Sequence, residues 1–292
     1  MEPEITGRTS QLRLVAVIGA GTMGHGIAQM AAMAGYQTRL TDASPDALTA
    51  AMSRIASNLA GAVTRRKITQ DEADAAISRI VAAADVATAA RDADLVIEAV
   101  VEDFDIKSQL FEQLDAAVGA DAVLATNTSS LSVARIAHAT RRPARVVGMH
   151  FFNPVHIMKL VEVIAHPRSD PGAIAAVRDV AGRMGKTTIL VHDAPGFASS
   201  RLGVVLGLEA MRMVEQGVAS PADIDTAMEL GYGHPMGPLR LTDLVGLDVR
   251  LNIAEYLHRE LQDPKFEPPG ILRDKVQRGE LGKKAGRGFY EW

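Results

Sequence analysis

A short glycine pattern beside an apolar run constrains the fold of this 292-residue chain more than any other feature. The run Leu12 to Ile18 is rich in branched residues and predicts a buried parallel strand. It leads into Gly19-Ala-Gly-Thr-Met-Gly24, an apolar helix follows, and a second predicted strand, Gln37 to Thr41, ends at Asp42. A lone G-x-G-x-x-G would be weak, but strand, glycines, helix and acid together are typical of a dinucleotide-binding βαβ unit.

Residues of this unit have distinct predicted roles in cofactor binding. Gly19 allows the tight turn, Gly21 lets a diphosphate approach the helix N-terminus, and Gly24 lets helix and strand pack closely. Asp42 is expected to accept hydrogen bonds from the adenosine ribose and to repel a 2′-phosphate, so NAD is predicted over NADP. The predicted cofactor contacts within the glycine loop are Gly19, Gly21, Thr22, Met23 and Gly24.

Composition restricts the class of protein. Hydrophobic residues make up 47% and charged residues 23%, which are ordinary globular values, and a net charge of −4 suggests neither nucleic acid nor an anionic membrane as a partner. The absence of cysteine excludes disulfides, thiolate nucleophiles and cysteine-ligated metals, and no metal site is predicted. The N-terminal Met1-Glu-Pro-Glu carries acid where a signal peptide carries base, so we expect a cytoplasmic protein.

The order of predicted elements divides the chain into two domains. Strands and helices alternate up to Val191, with an inserted helical hairpin whose second helix is predicted to run to about Ile80. We therefore expect an α/β Rossmann-type NAD-binding domain at 12–192, followed by an all-α domain at 193–292. The long helices of the second domain carry enough apolar surface to predict a homodimer interface, and we expect this domain to share the substrate cleft.

A histidine and a glutamate are predicted to meet across the turn at Asn153-Pro154. His150 ends a strand that begins at Arg145, and Glu162 lies on the next strand, Met158 to Ile164. Taken alone, the histidine could be an ordinary hydrogen-bonded side chain and the glutamate a solvated one. If the two meet, the carboxylate fixes the imidazole tautomer and stabilises the imidazolium, which makes the histidine a tuned base.

Two other segments carry polar groups that could face ligands. The loop Asn127-Thr-Ser-Ser130 follows a predicted strand, so its side chains would lie at the ligand-binding edge of a parallel sheet, although a serine such as Ser129, taken alone, is more often a helix cap. The basic turn Arg65-Arg-Lys67 in the inserted hairpin could bind substrate phosphates, or could simply be solvated.

Further motifs follow one another along nearly the whole chain. They are Gly19-Ala-Gly-Thr-Met-Gly24, Asp94-Leu-Val-Ile-Glu-Ala, Asn127-Thr-Ser-Ser130, His150-Phe-Phe-Asn-Pro154, Met158-Lys-Leu-Val-Glu162, Gly231-Tyr-Gly-His-Pro-Met-Gly-Pro238 and Gly282-Lys-Lys-Ala-Gly-Arg-Gly-Phe-Tyr290. In this order they resemble the 3-hydroxyacyl-CoA dehydrogenase family, particularly its bacterial 3-hydroxybutyryl-CoA dehydrogenases. So many motifs in sequence are far more specific than any one of them.

The resemblance implies an NAD-dependent enzyme that interconverts (S)-3-hydroxyacyl-CoA, of short chain, and 3-oxoacyl-CoA. By that resemblance His150 takes the proton of the C3 hydroxyl and Glu162 orients it, while Ser129 and Asn153 hold substrate and cofactor. Besides Asp42, the implied NAD contacts are Glu102, Lys107, Ser129, Asn153 and Lys284. The implied acyl-CoA contacts are Ser57, Arg65, Ser129 and Ser200.

Two departures and three alternatives accompany this hypothesis. Ser200 stands where the family commonly has an active-site asparagine, which bears on substrate preference, and Ala285 stands where threonine is usual. One alternative is a dehydrogenase of a non-CoA 3-hydroxy acid or sugar acid, and another is an NAD-binding protein that has lost catalysis. A hydrolase using Ser129 and His150 is disfavoured because no G-x-S-x-G elbow occurs.

Overall fold

The computed structural model describes residues 12–292. The chain divides after Asp193 into two compact units, an α/β unit and a helical unit. No helix within the described range is long and apolar enough to cross a membrane.

The first unit is built on one eight-stranded sheet. Its strands are β1 (Leu14–Ile18), β2 (Gln37–Thr41), β3 (Ile80–Ala82), β4 (Leu95–Glu98), β5 (Val123–Thr126), β6 (Val146–Phe151), β7 (Leu160–Ala165) and β8 (Thr187–His192). They lie in the order β3-β2-β1-β4-β5-β6-β7-β8. Strands β1 to β6 run parallel to one another, β7 runs antiparallel to β6, and β8 runs parallel to β7.

Helices cover this sheet, which explains why its central strands are mainly apolar. The strands β4, β5 and β6 are buried at every position. The helices of this unit are α1 (Gly24–Met33), α2 (Pro45–Thr64), α3 (Gln70–Ser78), α4 (Val86–Ala90), α5 (Phe104–Ala117), α6 (Val133–Ala137) and α7 (Pro171–Arg183), with a 3₁₀ turn at Pro143–Arg145. The predicted Rossmann-type α/β fold is confirmed.

The inserted hairpin is formed by α2 and α3. Ser44 caps α2 by accepting from Ala47 N, and Thr69 forms a capping box with Glu72 at the start of α3. The predicted extension of the second helix to Ile80 is wrong, because α3 ends at Ser78 and Ile80 begins β3, which pairs with β2. This strand has a single buried residue in three, so it carries no apolar pattern.

The second unit is helical, as predicted. Its helices are α8 (Ser199–Glu215), α9 (Pro221–Tyr232), α10 (Pro238–Val245), α11 (Leu247–Leu261) and α12 (Gly270–Gln277), with 3₁₀ turns at Pro264–Phe266 and Lys283–Ala285. The segment that forms α10 was not predicted to be helical. Buried Thr242 and Asp243 interrupt its apolar spacing, and the Asp243 carboxylate accepts from Phe289 N and Tyr290 N, which holds the C-terminal residues on the unit.

Candidate active site

The glycine loop opens onto a cavity of about 830 Å³ beyond the carboxyl ends of β1 and β2. Gly19 has φ +99°, and a Cβ at Gly24 would lie 1.7 Å from the Gly19 carbonyl oxygen, so neither position admits a side chain. A Cβ at Gly21 would meet nothing within 4 Å, so the backbone there is open to a ligand. The first turn of α1 contains no acidic residue and no side-chain cap. This cradle fits the diphosphate of NAD.

Asp42 lies at the end of β2 and lines the same cavity. Its Oδ2 accepts from Ala20 N at 2.7 Å and its Oδ1 accepts from Ser44 N at 2.9 Å. The two backbone bonds hold the carboxylate in one orientation, while each oxygen keeps a lone pair for a further donor. The role predicted for Asp42 toward the adenosine ribose stays a prediction.

Replacing Asp42 should change cofactor choice. We expect wild type to use NADH far better than NADPH, because the carboxylate accepts from ribose hydroxyls and repels a 2′-phosphate. Asp42→Ala should raise the KM for NADH by about tenfold to a hundredfold, the scale of a hydrogen bond to a charged group, and should narrow the NADH/NADPH ratio of kcat/KM. Asp46→Ala, an exposed acid in the first turn of α2, is the matched control. Equal use of both cofactors by wild type would contradict this role.

His150 and Glu162 face each other directly across the antiparallel pair β6 and β7. The imidazole Nδ1 lies 2.7 Å from Glu162 Oε2, and the two residues are only 5% and 0% exposed. An ionised carboxylate can only accept, so Nδ1 carries the proton and Nε2 is the ring's acceptor. His150 lies inside β6 and not beyond its end, because the strand continues to Phe151. The predicted pair is therefore set by strand register.

The neighbours of His150 fix the end of β6. Asn127 Oδ1 accepts from Phe151 N at 2.8 Å, which ties this strand to the loop after β5. The Phe152 ring lies against the imidazole with centroids 4.6 Å apart. The exposed Asn153 follows, so its side chain is available at the same edge of the sheet.

The loop that carries Ser129 is held by Glu102. Glu102 Oε1 accepts from Thr128 Oγ1 at 2.6 Å and from the backbone nitrogens of Ser129 at 2.8 Å and Ser130 at 3.2 Å. The helix cap that Ser129 could have formed is provided by Ser132, whose hydroxyl accepts from Arg135 N. The half-buried Ser129 side chain is thus not used as a cap.

A buried charge network behind this loop was missed by the sequence analysis. Glu98 ends β4 with no exposure and accepts from Lys107 Nζ at 2.6 Å, Thr126 Oγ1 at 2.7 Å and Val100 N at 2.7 Å. Lys107 Nζ also lies 3.4 Å from Glu102. The sequence signal that could have indicated this network is Glu98, an acidic residue in an otherwise apolar strand, because a buried carboxylate requires a partner. The contact predicted between Lys107 and NAD stays a prediction.

The remaining predicted residues lie in both units. In the first unit, Ser57 is exposed on α2 and Arg65 is exposed at the end of that helix. In the second unit, Ser200 is half-buried in the first turn of α8, and Lys284 Nζ binds the Asp248 carboxylate at 2.6 Å. Their roles toward acyl-CoA and NAD stay predictions.

Comparison with known proteins connects this geometry to one family. The family model described as 3-hydroxyacyl-CoA dehydrogenase, NAD binding domain, matches residues 14–194, and that for the C-terminal domain matches residues 196–292. The chain is 45% identical over 282 residues to a probable 3-hydroxybutyryl-CoA dehydrogenase of Bacillus subtilis, covering 97% of this chain and 98% of the relative.

Two solved structures have the same fold over nearly their whole length. FadB2 of Mycobacterium tuberculosis is 43% identical, with a TM-score of 0.93, and the match covers 96% of this chain and 99% of that one. The (S)-3-hydroxybutyryl-CoA dehydrogenase PaaH1 of Ralstonia eutropha is 39% identical, with the same TM-score and coverage.

Proposed function

This chain belongs to the 3-hydroxyacyl-CoA dehydrogenase family, and we propose that it interconverts (S)-3-hydroxybutyryl-CoA and acetoacetyl-CoA with NAD as cofactor. It is an NAD-dependent oxidoreductase acting on 3-hydroxyacyl-CoA. The preference for a four-carbon acyl chain is supported by relatives of similar length that are named 3-hydroxybutyryl-CoA dehydrogenase.

One observation carries the mechanism, namely the buried His150–Glu162 pair at the edge of the sheet where the glycine loop also lies. Strands β1, β4, β5 and β6 run parallel, so Gly19 after β1 and His150 near the end of β6 are at the same carboxyl edge. A dinucleotide and a base at one edge are what a hydroxyl-to-ketone oxidation requires.

The chain's own residues move the proton. In the oxidative direction, His150 Nε2 accepts the proton of the C3 hydroxyl, and Glu162 stabilises the imidazolium that results. NAD, when bound, supplies the acceptor for the hydride. In the reverse direction the imidazolium returns the proton to the C3 oxygen, so the same pair serves both directions.

Other residues bind and position the ligands in this proposal. Ser129 and Asn153 contact the substrate oxygens and the cofactor, and Glu102 supports Ser129 through the loop backbone. The glycine loop would hold the diphosphate of NAD, and Asp42 would bind its ribose. The further proposed contacts are Glu102, Lys107 and Lys284 for NAD, and Ser57, Arg65 and Ser200 for acyl-CoA.

We also propose a homodimer formed through the helical unit and a cytoplasmic location. Large apolar side chains stay exposed on this unit, which supports burial against a second copy. They include Leu202, Leu230, Tyr232, Leu241 and Leu244.

A spectrophotometric assay tests the proposed function. NADH oxidation should be rapid with acetoacetyl-CoA, slower with longer 3-oxoacyl-CoAs, and negligible with free acetoacetate, which shares the reacting carbonyl but lacks CoA. Rapid turnover of free 3-oxo acids without a gain from CoA would support the alternative dehydrogenase of non-CoA substrates. NADH binding without turnover of any of these compounds would contradict the enzymatic function itself.

A further inference from the structure

The segment after Asn153 lies among basic side chains that the mechanism above does not use. His156 is half-buried on this loop, and the charged groups close enough to act on it are His25 on α1, Arg65 and Lys67 after α2, and Lys186 before β8. Among residues 12–292, none of these side chains forms an ion pair with a carboxylate. We call these five residues the cationic surface.

Lys186 is the member whose burial requires an explanation. It is 9% exposed, and its ammonium donates to the carbonyl oxygens of Val155 and Met158, the latter at 2.8 Å. Burial lowers the pKa of this lysine. A buried cation that binds neutral carbonyls is costly, and the cost is partly recovered only if a counter-charge approaches. Within the described chain no carboxylate provides it.

The loop that carries His156 is fixed on α1, so the cationic surface is preformed. Val155 packs so tightly on α1 that a Cβ at Gly26 would lie 2.8 Å from the Val155 Cβ. His25, one residue earlier on that helix, has its Nδ1 2.8 Å from the Gly21 carbonyl. Because a carbonyl only accepts, Nδ1 of His25 carries a proton, and Nε2 becomes a second donor, able to bind a phosphate oxygen, when that nitrogen is protonated as well.

The cationic surface does not line the cavity of the glycine loop, which is where the NAD diphosphate is expected. It does include Arg65, the residue on the inserted hairpin that the proposed function already assigns to acyl-CoA. An anion bound here is therefore better matched to the phosphates of acyl-CoA than to those of the cofactor.

We propose that His156 and His25 bind a phosphate of acyl-CoA and that His156 becomes protonated when the substrate binds, so that acyl-CoA affinity falls as pH rises. This inference rests on the proposed function and adds residues and a pH dependence to it. In the free protein, burial and then the charges of His25, Lys186, Arg65 and Lys67 lower the pKa of His156. A bound phosphate opposes this effect.

The sign of the dependence follows from linkage. Binding raises the pKa of His156 from its lowered value, so the complex takes up a proton between the free and bound values of that pKa. The added affinity is complete at pH values below the pKa of His156 in the free protein. It is lost as pH rises through the pKa of His156 in the complex. The KM for acetoacetyl-CoA should therefore rise about threefold to tenfold as pH rises through the pKa of His156 in the complex, the range of one charge-assisted contact.

A comparison of two substrates separates this effect from that of His150. Acetoacetyl-pantetheine presents the same reacting carbonyl to the same base but has no phosphate, so its KM should lack the additional pH dependence. In His156→Gln the KM for acetoacetyl-CoA should lose this additional pH dependence and follow the pH profile of acetoacetyl-pantetheine. In His25→Gln the additional pH dependence should be reduced. His258→Gln, a half-buried histidine of the second unit, is the matched control.

Calorimetry with CoA itself measures the proton directly and needs no turnover. Titrations at pH 7 in two buffers of different ionisation enthalpy should show greater proton uptake by wild type than by His156→Gln. A titration with dephospho-CoA, which lacks the 3′-phosphate, identifies the phosphate that is bound. Retained proton uptake assigns the contact to the diphosphate, and lost proton uptake assigns it to the 3′-phosphate. Equal uptake by wild type and both variants would overturn the proposal, as would a pH effect on NADH affinity instead of CoA affinity. Absence of turnover would refute the proposed function alone.

Discussion

His150→Gln is expected to lower kcat by about two to four orders of magnitude, the usual contribution of a general base. Glutamine can still hydrogen-bond to Glu162 but cannot take a proton at neutral pH, so the variant should retain the strand pair and lose the chemistry. NADH affinity, followed by nucleotide fluorescence, should remain close to that of wild type, because the glycine loop follows β1 and not β6.

The matched control is His138→Gln, an exposed histidine at the end of α6, which should leave kcat unchanged. Since hydride transfer and proton transfer are parts of one oxidation, acetoacetyl-CoA reduction and 3-hydroxybutyryl-CoA oxidation should fall together in His150→Gln. Turnover within tenfold of wild type in either direction would refute His150 as the base.

The parts of the site that lie close in sequence were predictable. The glycine loop and Asp42 belong to one βαβ unit, whose spacing alone identifies it. His150 and Glu162 are separated by one turn, so two adjacent strands bring them opposite each other. In both cases the chain is short enough between the residues for local structure to fix their distance.

Contacts between separated segments were not predictable in this way. Asn127 binds Phe151 N and Glu102 binds the Ser129 loop only because β4, β5 and β6 are neighbours in the sheet, and the order of strands is a tertiary property. Short helices with buried polar residues were missed because their burial also depends on tertiary contacts. In α10 the aspartate at position 243 is buried because residues near the C-terminus bind it, so hydrophobic spacing gives no signal.

Lys107→Met is expected to destabilise the protein by about 3–5 kcal/mol, the cost of leaving a buried charge without its partner. Glu98 is fully buried and would keep only neutral donors, Thr126 Oγ1 and Val100 N, after loss of the ammonium 2.6 Å away. The loss should appear as a lower melting temperature and urea midpoint. Lys159→Met, at an exposed lysine before β7, should leave both unchanged.

The double variant Glu98→Gln with Lys107→Met separates charge from packing. Glutamine keeps the shape of Glu98 and can still accept from Thr126, and no buried carboxylate is left unpaired, so much of the lost stability should return. If the double variant is instead as unstable as the sum of the two single variants, the charges do not act on each other, and the short distance between Glu98 and Lys107 does not stabilise the protein. If recovery is found while NADH affinity stays low, Lys107 acts on the cofactor as well as on Glu98. A network that holds β4, α5 and the Ser129 loop together would then also set the affinity for NAD.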